Sequence, residues 1–128
     1  HISLNGTLNY THGNNITDDI PLGHIAPLFG RSTISYRRDR FFIDIYAIYQ
    51  GWKHMEDFSP FGEDNDGEAM DSGFPSWWTL NLKTGFSLGQ KFDLMIALEN
   101  ILDEFYKPYA SGISAPGRNL ILTARFTI

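Results

Sequence analysis

Seven carboxylates crowd the stretch from residue 51 to 77: Glu56, Asp57, Glu63, Asp64, Asp66, Glu68 and Asp71. Hard cations such as Ca²⁺ take several carboxylate and carbonyl oxygens, and Asp64-Asn65-Asp66-Gly67-Glu68 superficially resembles a calcium loop. The spacing fails the full EF-hand pattern, which needs ligands at fixed alternate positions and a closing Glu, so a solvated acidic loop is the simpler reading. His12, His24 and His54 lack the paired spacing of zinc ligands. Glu99, Asn100 and Asp103 could also offer oxygens, but Asn and Asp at the end of a strand more simply bond local backbone. Pro116-Gly117-Arg118 reads as a turn into the last segment, with Gly117 free to take positive φ and Arg118 at an interface. Cysteine is absent, which removes disulfides, thiolate metal sites and a cysteine nucleophile. No Ser-His-Asp order, phosphate-cradling glycine loop or pair of catalytic carboxylates stands out, and the expectation is a protein that is not an enzyme and needs no cofactor.

The elements that would position these groups are β-strands. Aromatic residues make up 15% of the 128-residue chain while the mean hydropathy is only -0.24, a composition suited to half-buried pleated surfaces. No apolar run approaches the ~20 residues of a membrane-spanning helix. A net charge of -5 argues against nucleic acid as a partner, because phosphate neutralisation depends on Lys and Arg. The first residues lack a basic segment followed by an apolar one and already read as strand.

Hydrophobicity alternates with period two almost throughout. Ile2, Leu4, Gly6, Leu8 and Tyr10 oppose Ser3, Asn5, Thr7, Asn9 and Thr11. A weaker strand runs from about Leu28 to Arg37, and another from Phe41 to Gln50. Trp78, Leu80, Leu82, Thr84, Phe86 and Leu88 share a face, as do Phe92, Leu94, Ile96 and Leu98, and then Leu120, Leu122, Ala124, Phe126 and Ile128. About six strands result, each near the ~10 residues that cross a bilayer at a tilt.

Their connections alternate in length. Tyr36 to Arg40 and Leu88-Gly89-Gln90-Lys91 are tight turns, whereas Thr11 to Pro27, Gly51 to Trp77 and Lys107 to Arg118 are long. Loops of that length are uncommon in compact soluble domains but usual on the outside of a transmembrane barrel. Arg31, Asp44, Lys83, Asp93, Glu99 and Arg125 all fall opposite the dominant apolar face, as a lipid-facing surface requires. Aromatics gather near strand ends at Tyr10, Tyr36, Phe41, Trp52, Trp77, Trp78, Phe92, Phe105, Tyr106 and Phe126, a placement that suits interfacial girdles.

Trp78-Thr79-Leu80-Asn81-Leu82-Lys83, then Ala97 to Tyr106 with its "ENILD..Y" element, then Ala115-Pro116-Gly117-Arg118-Asn119 and a terminal alternating strand, resemble the C-terminal end of TonB-dependent outer-membrane receptors. Pro21-Leu22 followed by Ile25-Ala26-Pro27 is similar to that family's "PL..IPP" entry into a strand, with Ala26 in place of the first of two prolines. The family commonly ends on an aromatic residue, whereas here Phe126 is followed by Thr127 and Ile128.

The resemblance implies an all-β fold: an antiparallel up-and-down transmembrane β-barrel segment, with residues 1–128 forming about six C-terminal strands of a larger barrel of ~22 strands and the plug domain absent. It implies transport across the bacterial outer membrane of a scarce nutrient such as an iron-siderophore, haem, cobalamin or oligosaccharide. Partners would be outer-membrane lipid, the remainder of the barrel and plug, TonB through that missing part, and a small-molecule ligand met in the external loops by His24, Trp52, His54, Asp64, Asp66 and Tyr109. The alternative is a soluble β-sandwich binding carbohydrate on a platform of Trp52, Trp77 and Trp78.

Overall fold

The computed structural model describes residues 1–89 and 91–127. Ten strands follow one another among the described residues: β1 (Ile2–Asn9), β2 (Asn14–Asn15), β3 (Ile20–Pro21), β4 (Phe29–Arg38), β5 (Phe41–Gln50), β6 (Lys53–His54), β7 (Gly73–Phe74), β8 (Trp77–Leu88), β9 (Phe92–Glu99) and β10 (Asn119–Phe126). Six of them form one sheet in the order β1-β4-β5-β8-β9-β10, with every neighbour antiparallel. The two-residue pairs β2/β3 and β6/β7 lie inside the long connections and escaped the periodicity, since two residues show no period. The sheet is open: β1 bonds only β4, and β10 bonds only β9.

The strand from Phe41 to Gln50 coincides with its expected bounds, and the one before it is displaced by a single residue. The last strand stops at Phe126, and Ile128 and Gln90 lie outside the described residues. The turn between β4 and β5 holds only Asp39 and Arg40, with Asp39 at φ 50°. Positive φ is what a tight hairpin connection demands, and Asp tolerates it.

Register places every charge of the six-stranded sheet but one on a single face. Asp44 lies opposite Lys83, Ser35 opposite Asp44, Arg31 opposite Ile48, and Asp93 opposite both Ser87 and Arg125. The exception is Arg38, at the very end of β4. On this charged face Ser35, Thr79 and Asn81 are buried, at 4%, 3% and 3% exposure. The apolar face is the uncovered one: Ile34 is 53% exposed, Ile45 45% and Leu122 66%. Burial is therefore inverted relative to a water-soluble sheet, in which the apolar face packs inward.

Polar atoms on the uncovered face are turned back into the protein. Thr84 Oγ1 donates to the carbonyl of Phe42 at 2.8 Å, and Ser32 Oγ lies 3.3 Å from the Tyr49 hydroxyl. The charged face is knitted by its own contacts. Arg37 donates to Asp44 at 3.2 Å, the Arg31 guanidinium sits 3.9 Å from the Tyr46 ring centre, and Ser87 donates to Asp93 at 2.7 Å. Phe42 covers Gly85, its register partner, so closely that a Cβ there would strike the ring.

Aromatics form two rows on the uncovered face. Tyr49 pairs with Trp78 at the long-loop end, while Tyr36, Phe41, Phe86, Phe92 and Phe126 mark the short-turn end. From Phe41 to Tyr49 the band runs ~27 Å along the strand at about 3.4 Å per residue. Trp77 departs from the girdle expectation because its side chain belongs to the opposite, charged face, in register with Gln50. Trp52, Phe105 and Tyr106 lie in the connections.

Candidate functional site

The three long connections, residues 10–28, 51–76 and 100–118, meet above one end of the sheet and pack into a cap. Its centre is aromatic: Phe74 is 1% exposed, stacks on Phe58 at 5.9 Å and meets the Tyr109 ring edge-on at 5.7 Å. Lys53 is buried beside them, its ammonium 6.0 Å from the Phe58 ring centre and 5.8 Å from that of Tyr109. β6 and β7 bring these groups together, and Gly73 at φ 100° leaves no room for a side chain against the Lys53 carbonyl.

Asp64 ties all three connections. It is fully buried, and its carboxylate accepts the backbone N–H of His24 at 3.0 Å, the backbone N–H of Ser59 at 2.6 Å and the hydroxyl of Tyr109. Three donors from three chain segments satisfy a charge that would otherwise be costly to bury. Burial, and then the hydrogen bond to and charge of Asp64, hold the Tyr109 phenol above its ordinary range. Further ties run from the Tyr109 N–H to Gln50 Oε1 at 3.1 Å, from Asn65 Nδ2 to the Ala110 carbonyl at 2.8 Å, and from Lys107 to Glu68 at 3.0 Å.

Trp52 and His54 alternate on the other side of β6. Their rings stack at 5.5 Å with 17° between planes, and Trp52 Nε1 is anchored on the Ser72 carbonyl at 3.0 Å. Both line a cleft of about 490 Å³ whose walls include Tyr10, His12, Leu22 and Asp57. A smaller hollow of about 260 Å³ lies between Met70, Phe74, Trp77, Phe105 and Tyr106. There the Trp77 and Tyr106 rings approach to 4.1 Å, and burial followed by the charge of Glu99 raises the Tyr106 phenol.

Of the six residues expected to meet a ligand, the structure thus joins His24, Asp64 and Tyr109 in one internal junction and Trp52 with His54 in the larger cleft. Asp66 is exposed at the start of a 3-10 turn, Asp66–Glu68, away from both groupings. Lys53, Phe58 and Phe74 went unremarked in the sequence, where the signal was an aromatic residue at either end of the acidic run. Among the described residues no group of three or more His, Asp or Glu is placed to hold a metal ion.

The "ENILD" element serves the backbone. Asn100, at φ 49°, donates its N–H to Asn81 Oδ1 at 2.9 Å, while its side chain bonds the Glu104 N–H and carbonyl. Asp103 Oδ1 accepts the Arg118 N–H at 2.7 Å, and Arg118 Nε donates to the Ile101 carbonyl at 3.0 Å. Gly117 is not in the positive-φ region expected of it; a Cβ there would lie 2.7 Å from Asp103 Oδ1, and that carboxylate would have to shift. The three tryptophans form no common platform. Trp77 and Trp78 are successive residues on opposite faces of β8, and Trp52 belongs to the cap.

The chain is similar to part of copper transporter OprC. The TM-score is 0.81 at 16% identity, over 98% of this chain and 21% of that one. Identity this low establishes the fold, and this chain spans about a fifth of the length of OprC. No protein-family model and no curated protein matches the sequence.

Proposed function

We propose that residues 1–128 form part of the wall and outer cap of a TonB-dependent transporter of the bacterial outer membrane: the last six strands of a barrel of about 22, with the plug elsewhere in the parent protein. The observation that carries this reading is the inverted burial of the six-stranded sheet, with apolar side chains uncovered on one face while the other, which carries the charges, buries the polar Ser35, Thr79 and Asn81. Hydrocarbon accepts that arrangement because neighbouring strands pair their backbone groups, the two free borders would pair within the rest of the barrel, and the one charge on the apolar face, Arg38, stands at a strand end. A soluble sandwich would need a second sheet over Ile34, Ile45 and Leu122, and the connections instead gather at one end of the strands.

The likeness to OprC supports a transport role, and the cap is where cargo would first be met. Stacked Trp52 and His54, together with Tyr10 and Leu22, offer flat and apolar walls in a cleft of about 490 Å³. Such walls suit an organic complex (an iron-siderophore, haem, cobalamin or oligosaccharide) better than a bare ion, including the copper named for OprC. His24 and Asp66 reach solvent at the cap surface as secondary contacts, and Asp64 and Tyr109 hold its shape from within. Lipid, the rest of the barrel and plug, and the TonB complex are the partners this role requires.

The test uses the full-length parent protein. It should fractionate with outer membranes and show the heat-dependent gel mobility of a folded barrel. Trp52→Ala with His54→Ala should weaken cargo binding about tenfold, near 1.4 kcal/mol, without loss of folded protein. A parent protein recovered as a monodisperse species in detergent-free buffer would overturn the reading.

A further inference from the structure

The short-turn end of the sheet carries a surface that cargo transport does not use. Tyr36, Phe41, Phe86, Phe92 and Phe126 form its row of rings on the uncovered face. Two residues beyond Tyr36 and level with Phe41 stands Arg38, the lone charge on this face of the strands. Its side chain is 75% exposed, and its nearest carboxylate, Asp39 at 3.9 Å, is itself 89% exposed. Arg40 and Lys91 are exposed in the same pair of turns. The Arg40 carbonyl accepts the Ser87 N–H at 2.8 Å, which sets the first turn beside the end of β8, and the Lys91 carbonyl accepts the Thr127 N–H at 2.8 Å, which ties the second turn to the end of β10. Arg37 is not available, being engaged by Asp44.

We propose that Arg38, Arg40 and Lys91 hold the phosphate headgroups of anionic glycerophospholipids at this rim. The proposal rests on the membrane reading above. Arg38, Arg40 and Lys91 against Asp39 give these turns a net positive charge, while the rings level with Arg38 are of the kind that gathers at a membrane interface. Guanidinium groups pair with phosphate through two parallel N–H donors, and each cation near an anionic lipid surface is worth about a fivefold gain. The opposite end of the molecule, with its acidic cap, has no such character. A free phosphate ion would have no use for the aromatic row, which is why a lipid is the fitting occupant.

The full-length protein, placed in bilayers of phosphatidylcholine with a minority of phosphatidylglycerol and then gently extracted, reports its retained lipids by native mass spectrometry. Phosphatidylglycerol should be enriched about fivefold or more over its share. The triple variant Arg38→Gln, Arg40→Gln, Lys91→Gln should retain lipids in the proportions supplied, and excess inorganic phosphate should not displace lipid from the wild type. Equal enrichment in both proteins, no enrichment in either, or displacement by phosphate would overturn the headgroup site. Insertion without lipid preference defeats this proposal only, whereas failure to insert into any bilayer defeats the transporter reading as well.

Discussion

The sheet and the cap obey opposite rules of burial within one short chain. In the sheet, Leu122 and Ile34 stand uncovered while Thr79 and Asn81 are enclosed; in the cap, Phe74 and Phe58 form a core and most carboxylates remain outside. The cap follows the ordinary logic of water, in which apolar area is removed from solvent. The sheet follows that logic reversed, which is coherent if its apolar face meets hydrocarbon and its charged face meets water or protein. On the proposed membrane reading, the boundary between the two solvents falls near Tyr49 and Trp78.

The contrast is most sharply broken by moving a charge across it. Ile96→Lys, near the middle of β9 on the uncovered face, should cost roughly 2–4 kcal/mol in lipid and remove the heat-modifiable barrel from outer membranes. Lys83→Glu, on the other face, should assemble at near-normal levels, although Asp44 lies opposite and the like charges cost up to ~1 kcal/mol. Equal behaviour of the two variants would show the face assignment to be wrong. In the cap, Phe74→Ala should cost about 3–5 kcal/mol locally, seen as rapid proteolysis of residues 51–76 on intact cells with the barrel still folded.

Asp64→Ala should come next, at about 3 kcal/mol, since it strands the His24 and Ser59 N–H groups and the Tyr109 hydroxyl together. Hydrogen exchange should then rise in all three connections at once; a rise in one alone would show that they are not joined through this carboxylate. The smallest effect concerns pH. The neutral Tyr109 phenol is favoured in the folded cap, so the folded state binds this proton more tightly than the unfolded chain does. Its contribution is complete below the ordinary tyrosine value of about 10 and fades as pH climbs above it. Protection of the cap should fall further in that alkaline range for the wild type than for Tyr109→Phe, in which the raised Tyr106 phenol still contributes.

How far each region could be read from sequence follows from the same contrast. The strands were legible because a two-residue period repeats over eight or more positions, as from Phe41 to Gln50, and a one-residue slip would have put Asp44 or Lys83 into the apolar row. The cap was opaque because its ties join residues far apart, Asp64 with Tyr109 and Asn65 with Ala110, and no period links such positions. Asp64 looked like a ligand oxygen for the same reason: one sequence shows the carboxylate but not the donors that fold around it. Asn100 and Asp103 were easier, since their partners at Glu104 and Arg118 are near in sequence.

The two borders of the sheet carry a last consequence. β1 and β10 each expose a full row of peptide groups along eight residues, with no proline or bulge to blunt them. Such a ribbon adheres to whatever strand it meets first. On the proposed barrel reading, its safe passage to the membrane would therefore depend on timing, with the margins matched to their proper neighbours before another copy can supply the hydrogen bonds instead.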